Sequence, residues 1–209
     1  MKRFLSFLLV SLVAVSVMAQ YDDGIESYRV VYKGKAPTIS DFVSTILGME
    51  DCGEVLGSFS DYWKRYQKGM KMPRNIILDV ESKNGYIFYD QSYPDDDAHV
   101  SVTTCYWNCS DGRHKLVGQV ITTFQNGRSV AGQYDGLTFY TYDSVTKRLK
   151  WTPIVDVCGD EFNEIGLTDG TVISLPAEGK DISLWLNTSN GMKHYTLKWN
   201  GGGFDFIKK

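Results

Sequence analysis

Apolar positions along the chain change their spacing three times. The first apolar run, Phe4 to Met18, is continuous except for Ser6, Ser11 and Ser16. It follows Met1-Lys2-Arg3 and ends in Val17-Met18-Ala19, with Gln20 next. A basic start, an apolar middle and small residues at the end are the layout of a cleavable signal peptide, here residues 1–19. A spanning helix needs roughly 20 apolar residues, and this run is shorter. No later segment is apolar enough to span a bilayer. The reading is a mature chain without a membrane span, periplasmic or secreted.

After a loose entry segment, Tyr28, Val30 and Tyr32 alternate with polar residues and predict a strand over 28–33. The spacing then becomes helical. Phe42, Val43, Ile46 and Leu47 form one stripe after Pro37-Thr38, with Thr38 or Ser40 as cap and Gly48 as stop. A second stripe, Val55, Phe59, Tyr62, Trp63 and Tyr66, predicts a helix over 54–67. From Asn75 onward the period is two. Strands are predicted over 75–81 and 86–89 around Asn84-Gly85, a type I′ turn signal. Others follow over 100–107, 115–124, 137–142, 148–154, 171–175, 182–186, 193–199 and 204–207, with a short helical turn over 160–165. Close-spaced strands joined by tight turns predict an α+β fold. It would be a predominantly antiparallel β meander of about ten strands with one or two N-terminal helices packed on it. Residues 20–209 form one domain in this reading, with candidate internal boundaries near 74 and 134. Leu149-Lys150-Trp151 recurs as Leu197-Lys198-Trp199, each after an apolar strand and a polar turn, and Trp107-Asn108 matches Trp199-Asn200, so the tryptophans Trp107, Trp151 and Trp199 fall at spacings of 44 and 48. Tandem sheet-plus-helix units or propeller-like partial repeats are therefore the alternative, although three units fall short of the roughly four blades a propeller needs.

Composition narrows the function classes. Removing residues 1–19 from 209 leaves 190 residues, enough for a real core. Lys2 and Arg3 leave with the signal, so 20 basic side chains face 25 acidic ones and the net charge is −5. A mildly acidic chain with scattered basic residues lacks the footprint of a nucleic-acid binder. Export permits disulfides among Cys52, Cys105, Cys109 and Cys158, in any of three connectivities. Cys105 and Cys109 can pair only if Tyr106–Asn108 turns, because four extended residues span roughly 13 Å. Four buried free thiols are the other reading.

Motifs with recognisable mechanics are missing. The chain has no His-Glu-x-x-His, no Gly-x-Ser-x-Gly and no Gly-x-x-x-x-Gly-Lys. Without a Cys-x-x-Cys pair or neighbouring histidines, no zinc site is expected, and no cofactor or catalytic residue is assigned. His99, His114 and His194 are the only histidines available as bases for a Cys/His pair. Asp95-Asp96-Asp97 reads as a solvated acidic loop, since it lacks the alternating ligands of a calcium loop.

The remaining signal is aromatic. Trp, Tyr and Phe supply 5, 13 and 10 residues, and many fall on strands. Alternation places Tyr140 and Tyr142 opposite Leu137 and Phe139, and Trp185 opposite Ile182, Leu184 and Leu186. Tyr140, Tyr142 and Trp185 are thus the candidate binding residues, on a sheet face able to stack on a sugar ring or anchor a protein partner. The signal peptide, the Tyr- and Asp-rich hairpins and the ending Tyr195-Thr196-Leu197-Lys198-Trp199-Asn200-Gly201 resemble small exported proteins of unknown function from gut Bacteroidota. Asp143-Ser144-Val145 looks like the Asp-Ser/Thr-aliphatic acceptor of O-glycosylation in those organisms. The functional expectation is a non-catalytic binding or interaction protein with a carbohydrate or protein ligand. The alternatives are a secreted hydrolase without a known motif, and an inhibitor of a secreted enzyme that presents a disulfide-braced loop 107–114.

Overall fold

Strand β1 (Ser27–Arg29) leads into two helices, α1 (Ile39–Ile46) and α2 (Gly53–Gln67). Thr38 starts α1, and the Asp41 carboxylate accepts from both its backbone N–H and its hydroxyl at 2.7 Å. That arrangement occupies a donor that the first helical turn leaves open. Strands β2 (Ile76–Glu81), β3 (Tyr86–Tyr93), β4 (Ala98–Asn108), β5 (His114–Gln125), β6 (Arg128–Val130), β7 (Gly136–Asp143) and β8 (Arg148–Thr152) follow. Two short helices, α3 (Ile154–Cys158) and α4 (Asp160–Asn163), then precede β9 (Val172–Ser174), β10 (Ile182–Thr188), β11 (Gly191–Trp199) and β12 (Phe204–Lys208). The computed structural model describes residues 26–49, 53–130, 136–163 and 169–208. The signal-peptide reading and Cys52 lie outside the described residues. Among the described residues, no helix is long and apolar enough to cross a membrane.

The protein is mostly antiparallel β. Its strands divide between two sheets, where the sequence reading has one meander. The larger has the order β1-β8-β7-β5-β4-β3-β2, with β6 also pairing β5. The smaller has the order β12-β11-β10-β9. Strands β6 and β7 share one edge of β5, β6 along Thr123–Gln125 and β7 along His114–Ile121. The N-terminal β1 closes the far edge by pairing with β8.

Period-two alternation lets the larger sheet bury both faces. One face packs on the helices. Ile39, Val43, Phe59 and Trp63 meet Ile87, Tyr89 and Val102, and Phe42 and Ile46 meet Val117, Tyr142 and Leu149. Phe59 stacks on Tyr89 at 4.5 Å. The other face packs on the smaller sheet and on α3–α4. There Trp107, Leu116, Val120 and Phe139 meet Val157, Ile182, Leu184, Leu197 and Phe204. The layers are therefore helix, large sheet and small sheet, with buried clusters that run across both position 74 and position 134.

Three local expectations change. The type I′ signature sits at Asn126-Gly127, with φ of 50° and 69°, whereas at Asn84-Gly85 only Gly85 is left-handed. The Tyr106 ring lies against Gly85, where a Cβ would come within 2.6 Å of it. The tryptophans do not mark repeated units. Trp107 stacks on Trp199 at 5.8 Å between the two sheets, whereas Trp151 is exposed on β8. Finally, Cys105, Cys109 and Cys158 are free thiols. Tyr106–Asn108 continues β4 as extended chain, so Cys105 and Cys109 are held apart.

Candidate functional site

The outer face of the small sheet is built by alternation along β10. Ile182, Leu184 and Leu186 turn inward and are buried, so Ser183, Trp185 and Asn187 turn outward. The β10–β11 hairpin turns at Ser189-Asn190, which places Trp185 opposite His194, Ser183 opposite Thr196 and Asn187 opposite Met192. The Trp185 and His194 rings lie 4.3 Å apart. On the flanking strands, Val172 pairs with Trp185 and Ile207 with Thr196. Trp185 remains 43% exposed. The result is an indole held by one imidazole and surrounded by hydroxyl and amide side chains. It offers an apolar ring face with hydrogen-bonding groups beside it.

Tyr140 and Tyr142 lie elsewhere, so the predicted common face is corrected. They belong to the large sheet and point toward the helices, on the opposite side of the molecule's layers from Trp185. Tyr142 is 0% exposed, packs edge-on against Phe42 at 5.2 Å and donates to the Tyr32 hydroxyl at 3.3 Å. Alternation set these tyrosines opposite Phe139 correctly, but α1 covers the face they occupy. Tyr140 is half-buried and pairs across the strands with the exposed Trp151. Burial pushes its hydroxyl up to about 12, so it stays a neutral phenol.

The titratable groups give no assembled catalytic set among the described residues. His99 Nδ1 lies 2.6 Å from Oδ2 of the buried Asp90, and its ring stacks on Phe124 at 4.4 Å. Ser92 sits opposite His99 but directs its hydroxyl to Asp90 Oδ1, at 3.5 Å. This joins β3 to β4 and orients the imidazole without aiming a nucleophile at it. His114 Nδ1 is held by Asp111 Oδ2 at 2.5 Å. Burial raises the Cys105 and Cys109 thiols, and pushes Cys158 up to about 12. A raised thiol is a poor nucleophile at neutral pH. Asp95, Asp96 and Asp97 are exposed, the first two in a single 3₁₀ turn after Tyr93. Among the described residues no three His, Cys, Asp or Glu side chains group to hold a metal. Loop 107–114 also lacks the disulfide brace that the inhibitor reading requires. Asp111 braces it instead, accepting from the Arg113 and His114 backbone N–H groups at 2.9 Å each.

Sequence reasoning missed His194 as the partner of Trp185. Its signal was present: folding strands 182–186 and 193–199 about Ser189-Asn190 sets the two residues opposite each other. No family model matches the chain, and neither a curated protein nor a solved structure matches it.

Proposed function

We propose that this is an exported, non-catalytic binding protein that recognises carbohydrate through the outer face of the small sheet. One observation carries the reading: Trp185 is 43% exposed on an open sheet face, with its ring fixed against His194. An indole held in one orientation has already lost rotamer freedom, so stacking a sugar on it costs less entropy. Aromatic stacking contributes about 0.5–1.5 kcal/mol beyond the buried area. Ser183, Thr196 and Asn187 beside it supply donors and acceptors for sugar hydroxyls. A protein partner would find fewer aliphatic anchors here, since Val172, Met192 and Ile207 are dispersed over three strands.

Titration with neutral oligosaccharides, followed by tryptophan fluorescence and by glycan-array binding, tests this. Trp185→Ala should weaken binding by roughly tenfold or more, the equivalent of one stacking contact, and Trp151→Ala should leave it unchanged. Equal binding by the Trp185→Ala variant would remove this face as the site.

A further inference from the structure

One end of the molecule carries a cavity of about 280 Å³ where three chain segments meet: the stretch around Tyr32–Pro37, the β4–β5 hairpin tip and the β7–β8 turn. Its lining includes Lys35, Arg113, His114 and Lys115, with Tyr32 and Ser144, and no carboxylate. That bias is unusual in a chain with more acidic than basic side chains. The nearby carboxylates are already engaged. Asp143 takes the Arg113 guanidinium through two bonds, Nε at 2.9 Å and Nη2 at 2.6 Å, and also accepts from the Val145 N–H at 2.8 Å. Asp111 accepts from the backbone of its own turn and from the His114 ring. Both carboxylates fix cationic or donor side chains in place, as second partners do at binding sites. Lys115 is positioned too. Its ammonium donates to Asn108 Oδ1 and lies 4.6 Å over the Tyr106 ring. A fourth cation, Lys147, lies 5.4 Å over the Tyr32 ring.

Lys35, Arg113 and Lys115, with no carboxylate in the lining, leave the cavity wall positive. We propose that the cavity binds the oxyanion of a small ligand, a carboxylate or a phosphate, on a molecule of about monosaccharide size. Lys35 and Lys115 would contact the anion directly, while Arg113 offers the guanidinium edge that Asp143 leaves open. Charge-assisted bonds to ammonium and guanidinium groups are about twice as strong as neutral ones. The site is at the opposite end of the β7–β8 hairpin from Thr152 and does not involve Trp185, so the two surfaces can fail or succeed separately.

The test is amide chemical-shift titration of the purified protein with glucuronate, with inorganic phosphate and with glucose. Glucuronate or phosphate should produce saturable shifts centred on residues 109–115 and 143–147, and added salt should weaken them. Lys35→Ala and Lys115→Gln should each raise the apparent Kd roughly tenfold, the loss of one charge-assisted contact. Lys150→Ala, an exposed cation elsewhere, should not. A response to glucuronate alone assigns a carboxylate, and a response to phosphate alone assigns a phosphate ester. Absence of saturable shifts, equal shifts with glucose, or unchanged affinity in the Lys35→Ala variant would overturn the proposal. Lys35 is exposed, so its variant tests the site without disturbing the core.

Discussion

Asp111 shows how much local order one carboxylate can impose. It sits in the β4–β5 turn and accepts from two backbone N–H groups and one imidazole. Those donors favour the ionised form, and lower its pKa from the ordinary 3.8 to about 2. A carboxylate with a depressed folded pKa binds its proton more readily in the unfolded chain. Its contribution to stability is therefore present above about pH 4 and disappears as pH falls through about 2. Asp143, held by Arg113, is shifted in the same direction. Acid unfolding followed by far-UV circular dichroism should thus steepen between pH 4 and pH 2. Asp111→Asn should flatten that part of the curve while lowering stability at pH 7. An unchanged acid slope in the variant would mean that the turn does not depend on the charge. The pairing of Asp143 with Arg113 was not legible in the sequence, because hydrogen-bond partners 30 residues apart are set by strand register.

At the scale of elements, most of the pattern was legible and the pairing of sheets was not. Period-two alternation located β4, β5, β7, β10 and β11 to within a few residues, and the Phe42-Val43-Ile46 stripe located α1. Strand β6 and helix α3 were missed. Arg128–Val130 is three residues long, too short to show a period, and Ile154–Cys158 continues an apolar run that reads as strand. Alternation reports which residues share a face, but not what covers that face. This is why Tyr142 read as exposed and is buried, while Trp185 read as outward and is. Gly118 is a case where pairing, invisible in the sequence, determines the residue. It lies between Cys105 and Phe139 in neighbouring strands, and a Cβ there would come within 2.9 Å of the Trp107 ring. Trp107 cannot retreat easily, because its indole N–H donates to the Lys180 carbonyl at 2.8 Å and its ring meets Trp199 and Phe204. Gly118→Ala should therefore destabilise by about 1–3 kcal/mol, as overpacking does, read from denaturant midpoints. A neutral result would show that the ring has room to move.

The whole molecule is organised around the large sheet, because neighbouring residues of its strands serve opposite cores. In β5, Leu116 and Val120 pack toward the small sheet, and Val117 packs toward α1. In β7, Phe139 and Tyr142 divide in the same way. A strand that loses its register loses both cores at once, so the helical layer and the small sheet should not melt independently. Two truncations at opposite ends of the layers test this. Phe59→Ala removes the ring stacked on Tyr89 beneath α2, and Leu184→Ala opens the core between the sheets; both side chains are 0% exposed. Each should cost about 2–5 kcal/mol. Because the sites share no partner, the double variant should lose close to the sum. Helical signal in the far ultraviolet and tryptophan fluorescence should still fall in one coincident transition for each variant. Two separated transitions in the Leu184→Ala variant, with helix lost at higher temperature than tryptophan packing, would show instead that the small sheet is an independent unit. The Trp185 face would then ride on a module able to open without unfolding the rest.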